Sequence, residues 1–223
     1  MDTGVEVDIY FHHFNNAIFS KLILDNIGVY NSYIIMPANL KDVHLVLEKL
    51  PKESVYILDQ TQKELSKYPS VTQNFKEDVV FGLTECYQQL KKYKKIVFVY
   101  VKEKQPKEML KGFKKFCKTH SFEYEIISSL VEKEITKGDA YLIPDDPTLI
   151  RLIKTIRDNK LVLTEDIGII SYNDTLLKEI VEGGITTIST DFNKMGENLA
   201  KMVMEKENKK IHNPCLFMKR NSL

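Results

Sequence analysis

Short apolar runs alternate with segments whose apolar residues recur every three or four positions along almost the whole chain. The first pattern belongs to strands and the second to helices packed on one face. Val5, Val7, Ile9 and Phe11 alternate with Glu6, Asp8 and Tyr10, which predicts a strand over 5–11. A helix follows over 15–27, with Ile18, Leu22, Ile23 and Ile27 inward. Tyr33–Met36 reads as a strand stopped by Pro37, and Leu40–Leu50 as a helix ended by Pro51. Val55–Leu58, ending at Asp59, and Ser70–Gln73 are the next strands. Lys76–Tyr93 is a long amphipathic helix and Ile96–Val101 a buried strand. Pro106–His120 is a helix with Met109, Leu110, Phe113 and Phe116 on its core face. Strands follow over Phe122–Ile127 and Gly138–Ile143. A helix over Asp146–Asn159 then turns Leu149, Leu152, Ile153 and Ile156 inward.

The pattern is densest over 161–204. Asp166–Tyr172 is a continuous apolar run, the mark of a strand buried on both faces. It runs into Asn173-Asp174-Thr175, a polar turn and helix cap. Thr175–Glu182 is a short helix closed by Gly183-Gly184. Ile185–Ser189 is another strand. Thr190 or Asp191 then caps a helix with Met195, Leu199, Met202 and Val203 on one face. Residues 205–213 read as a loop, and Cys215–Met218 as a closing strand. This alternation predicts an α/β protein of parallel sheets covered by helices on both faces. Ligands in such sheets bind at the carboxyl edge, where the polar residues cluster here.

Composition narrows the function classes. The 223 residues suffice for one large or two small domains. Thirty-two basic against thirty-one acidic residues disfavour a nucleic-acid-binding surface on this chain. Cys86, Cys117 and Cys215, odd in number and widely spaced, read as buried thiols in a reducing compartment. No apolar run of about 18 residues suggests a membrane span. Residues 1–13 lack the basic and apolar regions of a signal peptide. A cytoplasmic location is the expectation.

Asp145-Asp146 stands between a strand and a helix. It reads first as a helix cap, with a pair for acid–base or metal chemistry as the alternative. Asn173 reads as a turn amide bonded to its own backbone or as a ligand group. His12, His13 and His44 do not form a metal set, because adjacent residues at a strand end point to opposite faces. Lys91, Lys92, Lys94 and Lys95 end a helix and suit its dipole. No nucleotide-binding glycine motif and no nucleophile–base order is present, so no cofactor and no enzymatic activity is expected.

Four blocks, DIGIISYND, ITTISTDF, MGENLAKMV and PCLFMKRNS, come in the order and spacing found in the sensor domains of the lactose/galactose-repressor family. Earlier segments extend the resemblance: GVEVDIYFHHFN, YNSYIIMP, VTQNFKEDVVFG and KGFKKFC. The wording FHHFN…YIIMP…QNF resembles sensors that carry winged-helix heads of the GntR type, as in arabinose repressors. The resemblance implies a periplasmic-binding-protein-like fold of two Rossmann-like lobes. The N-terminal lobe would be 1–73 plus 191–213, and the C-terminal lobe 74–190 plus 214–223, with a ligand cleft between them. It implies a homodimeric transcription regulator that binds a monosaccharide effector and meets operator DNA only through a head outside this sequence. By position, the resemblance assigns Asp59, Asp145 and Asn173 to ligand hydroxyls. Gln73, Thr190 and Phe192 fall at the crossovers, and Met36 forms an apolar wall. Met109 stands where many members carry an arginine. That implies a less polar ligand edge, suited to a pentose or deoxyhexose such as arabinose or fucose. The family's opening strand and helix have no counterpart before residue 5, which predicts an incomplete N-terminal lobe with an unpaired edge. A transport-type sugar-binding protein and an enzyme on a doubly wound sheet are the alternatives.

Overall fold

The computed structural model describes residues 4–131 and 133–223. Met1–Thr3, where the reading of the N-terminus begins, lie outside the described residues. The chain forms two compact units, Met1–Thr72 with Gly196–Ile211, and Gln73–Met195 with His212–Leu223.

The first unit carries α1 (Asn16–Asp25), β1 (Tyr33–Ile35), α2 (Val43–Leu47), β2 (Val55–Asp59) and β3 (Ser70–Thr72). Its sheet has the order β1-β2-β3-β9, where β9 is Lys210–His212. β1, β2 and β3 run parallel, with Tyr33 opposite Val55 and Ile57 opposite Ser70. The core packs Phe19 and Ile23 of α1 against Tyr33, Leu47, Ile57 and Tyr68.

Three expectations need correction here. The alternating segment 5–11 is not a strand. Val5, Val7, Ile9 and Phe11 remain 61–73% exposed, because alternation makes a strand only where a neighbouring backbone accepts the ladder. Its contacts with the rest of the unit run through side chains instead. The Tyr30 hydroxyl donates to Asp8 at 2.7 Å, and His12 meets the Met36 carbonyl at 3.2 Å. On α1 the buried stripe is Phe19 and Ile23, whereas Ile18, and Ile27 beyond the helix end, are exposed. Residues 205–213 are not all loop, since β9 adds to the β3 edge, where Ser70 N–H donates to the Lys209 carbonyl at 2.9 Å.

The second unit is built on a six-stranded sheet. Its strands are β4 (Lys95–Val99), β5 (Glu123–Ile127), β6 (Asp139–Ile143), β7 (Ile167–Tyr172), β8 (Thr186–Thr190) and β10 (Cys215–Met218). The order is β10-β8-β7-β6-β4-β5. All neighbours are parallel except β10, which runs antiparallel to β8 with Cys215 opposite Thr190. Alternate residues of β4 serve two cores. Ile96 and Phe98 pack with Val79 and Leu83 of α3 (Phe75–Glu85) and Phe113 of α5 (Lys107–Thr119). Val97 and Val99 pack with Leu149, Leu152 and Ile156 of α6 (Asp146–Asp158). This is the doubly covered parallel sheet that the apolar runs predict. The expected single helix over 76–93 is two: α3 ends at Glu85, and Cys86, with φ −102° and ψ 15°, separates it from α4 (Tyr87–Leu90). α7 (Leu176–Ile180) follows β7, and α8 (Phe192–Met204) follows β8.

Candidate functional site

The carboxyl ends of β6, β7 and β8 bring together the polar residues of the second unit. β6 leads into Asp145, whose extended backbone and side chain cap α6, with Oδ1 accepting from Thr148 N–H at 3.0 Å. The capping reading of this residue is therefore realised. The cap occupies Oδ1 and leaves the carboxylate a second oxygen for another donor. Asp146, the first residue of α6, turns to Lys178 on α7, its Oδ1 lying 3.0 Å from Nζ.

β7 ends at Tyr172, and Asn173 adopts a left-handed φ of 60°. Its backbone N–H donates to the Ile188 carbonyl at 2.8 Å. Its side-chain Oδ1 is buried without a hydrogen-bond partner among the described residues. A buried acceptor left in this state costs about 1–3 kcal/mol until a donor meets it. The Lys178 ammonium donates to the carbonyls of Tyr172 at 2.8 Å and Asn173 at 2.6 Å. Asp174 accepts from Thr187 Oγ1 at 2.8 Å and takes both terminal nitrogens of Arg220. That guanidinium holds the Asp174 carboxyl below its ordinary range.

Thr190 ends β8, buried, and its Oγ1 accepts from Asn213 Nδ2 at 2.8 Å. Asp191, rather than Thr190, caps α8, accepting from Lys194 N–H at 2.9 Å. Phe192 starts that helix with half its surface exposed. Gln73 is buried, and its Oε1 accepts from the Tyr172 hydroxyl at 3.3 Å. Asp145, Asn173, Thr190 and Phe192 thus lie at or within two residues of strand ends of this unit, whereas Gln73 directly follows β3. Met109 is 2% exposed and packs in the apolar core with Phe75, Tyr100 and Phe113. On the first unit, Asp59 ends β2 with a φ of 74°, and Met36 follows β1, half exposed.

Sequence reasoning passed over Lys178 and Arg220. Their signal is faint: a lysine on the buried side of a short helix, and an arginine in the final polar segment. Among the described residues, no group of three His, Cys, Asp or Glu side chains could hold a metal ion. Nor is any described helix long and apolar enough to cross a membrane.

A family model described as a periplasmic binding protein-like domain matches residues 90–218. The HTH-type transcriptional regulator GalR of Streptococcus thermophilus is 24% identical over 213 residues, which are 86% of this chain and 62% of that protein. The chain therefore spans less than two thirds of the length of this curated relative. A LacI family transcriptional regulator from Lactobacillus casei with bound sucrose superposes with a TM-score of 0.80 at 12% identity, over 99% of this chain and 89% of that one. A LacI family transcriptional regulator from Enterococcus faecium with bound ribose gives 0.71 at 19% identity, over 92% and 83%. At these identities the two superpositions establish the fold.

Proposed function

The chain belongs to the periplasmic binding protein-like domain family, and from that premise we propose that it is the effector-binding and dimerising part of a bacterial transcription regulator responsive to a neutral monosaccharide. The regulator relative and the structural neighbours solved with ribose and sucrose support a neutral sugar as the ligand, and the restriction to a monosaccharide is our reading. The observation that carries the reading is the buried, unpartnered Oδ1 of Asn173. It is an acceptor awaiting a donor, and Lys178 links its loop to the α6 terminus that follows Asp145. A sugar offers several hydroxyl donors to such acceptors.

In this reading Asp145 and Asn173 take hydroxyls, and Phe192 offers a face for the ring. Gln73 and Thr190 border the ligand. Met109, buried among apolar side chains, gives no hydrogen bond there, which favours a pentose or deoxyhexose such as arabinose or fucose. The chemistry is binding, not turnover. Occupancy favours one conformation and so changes operator affinity in a paired DNA-binding head of the GntR type, which these 223 residues do not include. The protein acts in the cytoplasm as a homodimer.

A thermal-shift screen against arabinose, fucose, ribose, galactose and glucose tests the proposal, with light scattering for the dimer. One sugar raising the melting temperature in a saturable way is expected. A cooperative melt that no sugar moves overturns it.

A further inference from the structure

Lys178 is a charged side chain only 1% exposed, on a five-residue helix at the sheet edge. An ammonium so placed has to be matched, since leaving it bare in the interior is costly. It carries three protons and meets three acceptors: Tyr172 O at 2.8 Å, Asn173 O at 2.6 Å and Asp146 Oδ1 at 3.0 Å. The three come from two different connections, the turn after β7 and the first turn of α6. We infer that Lys178 is the positioning residue of the effector site, a tripod that locks the Asn173 turn to the α6 terminus and so fixes the spacing of the two hydroxyl acceptors. This inference rests on the reading of the site given above.

The chemistry of the turn explains why a lock is needed. Asn173 sits at φ 60°, a conformation that costs a non-glycine residue energy. Its carbonyl would otherwise end the strand without a ladder partner. Binding that carbonyl and its predecessor to one cation holds both peptide planes, and with them the direction of the Asn173 side chain. Asp146 carries the same constraint to its neighbour Asp145, whose own cap fixes its Oδ1. The ion pair also consumes the positive charge of Lys178, and Arg220 is likewise consumed by Asp174. Neither Lys178 nor Arg220 is left as a spare cation beside the ends of β7 and β8. That pairing favours a neutral polyol there over a phosphorylated or carboxylated sugar.

Two readouts separate this role from simple stabilisation. The first is amide exchange of Asn173, whose N–H bonds Ile188 O, against that of Ile169 in mid-strand, whose N–H bonds Ser222 O. The second is the dissociation constant for the sugar found in the thermal-shift screen. Lys178→Met keeps an unbranched chain of similar length without the charge. The expected result is exchange at Asn173 faster by about tenfold with Ile169 unchanged, and sugar binding weaker by about tenfold or more. Asp146→Ala removes one leg of the tripod at a partly exposed position and decides the matter if Lys178→Met does not fold. It is expected to change both quantities by about threefold. Unchanged exchange at Asn173 overturns the inference, and so does faster exchange with unaltered sugar affinity. If the unmodified protein binds no sugar, the proposed function fails in that measurement alone, before any variant is made.

Discussion

Arg220 grips Asp174 with both terminal nitrogens, Nη1 to Oδ1 at 2.6 Å and Nη2 to Oδ2 at 2.8 Å. The pair joins the last residues of the chain to the turn after β7, and Nη1 also donates to the Ile185 carbonyl at 3.0 Å. A two-pronged, partly buried pair of this kind is strong, and removing one partner strands the other. Arg220→Met should lower the stability of the second unit by about 2 kcal/mol. The pH dependence follows from the lowered Asp174 pKa. A folded pKa below the unfolded value gives stability that is present at neutral pH and lost as pH falls through the folded pKa. Urea midpoints measured from pH 7 down to 3 should converge for the two proteins at the acid end.

Asp78 behaves in the opposite sense. It lies buried in the first turns of α3, its Oδ2 without a hydrogen-bond partner among the described residues. Burial pushes its pKa up to about 6, which the Asn74 backbone N–H only partly offsets and nearby Glu77 reinforces. Because the folded pKa exceeds the unfolded one, the charged form costs stability above about pH 6. That cost fades as pH falls toward the unfolded value of about 3.9. Asp78→Asn should therefore stabilise the protein at pH 7.5 by about 1 kcal/mol, an amount tempered by the amide's own unmet donor. Below pH 4 the gain should vanish, as chemical denaturation at the two pH values can establish.

Gly112 marks where α3 and α5 touch. A Cβ there would lie 2.3 Å from the Lys76 carbonyl oxygen, a backbone atom with little room to yield. Alanine normally gains about 1 kcal/mol over glycine inside a helix. Here overpacking of up to about 3 kcal/mol should outweigh it. Gly112→Ala is expected to destabilise by about 2 kcal/mol in urea unfolding, against the helix-propensity trend.

Two substitutions separate binding from folding at the strand edge. Asn173→Gly keeps the left-handed turn and removes the amide. It should weaken the sugar by ten- to a hundredfold, about 1.5–3 kcal/mol, while leaving the melting temperature unchanged or raised. Asp145→Ser keeps a capping oxygen for Thr148 and removes the carboxylate. It should weaken the sugar with little loss of stability. Calorimetric titration of the two variants provides both affinities.

The strands and helices of the second unit were legible because each lies in a doubly covered sheet, where apolar runs have one solution. Val5–Phe11 misled because alternation records a preference for strand but not the backbone neighbour a strand requires. Residues 210–212 were missed for the converse reason: a polar edge strand owes its place to β3 and not to its own pattern. The candidate site was readable where a residue follows a strand, as at Asp145 and Asn173. Lys178 was not, because its environment joins the turn five residues before it to the distant start of α6, and nothing in the string Leu-Leu-Lys-Glu sets a buried cation apart from a solvated one.

The most direct test of the account is amide NMR of the isotope-labelled chain during titration with the sugar found in the thermal screen. Shifts that saturate together and concentrate on the Asn173 side-chain amide and the backbone of Asn173, Asp145 and Thr190 are the predicted result. Saturable shifts that bypass the carboxyl ends of β6, β7 and β8, or no shift with any sugar, would contradict it.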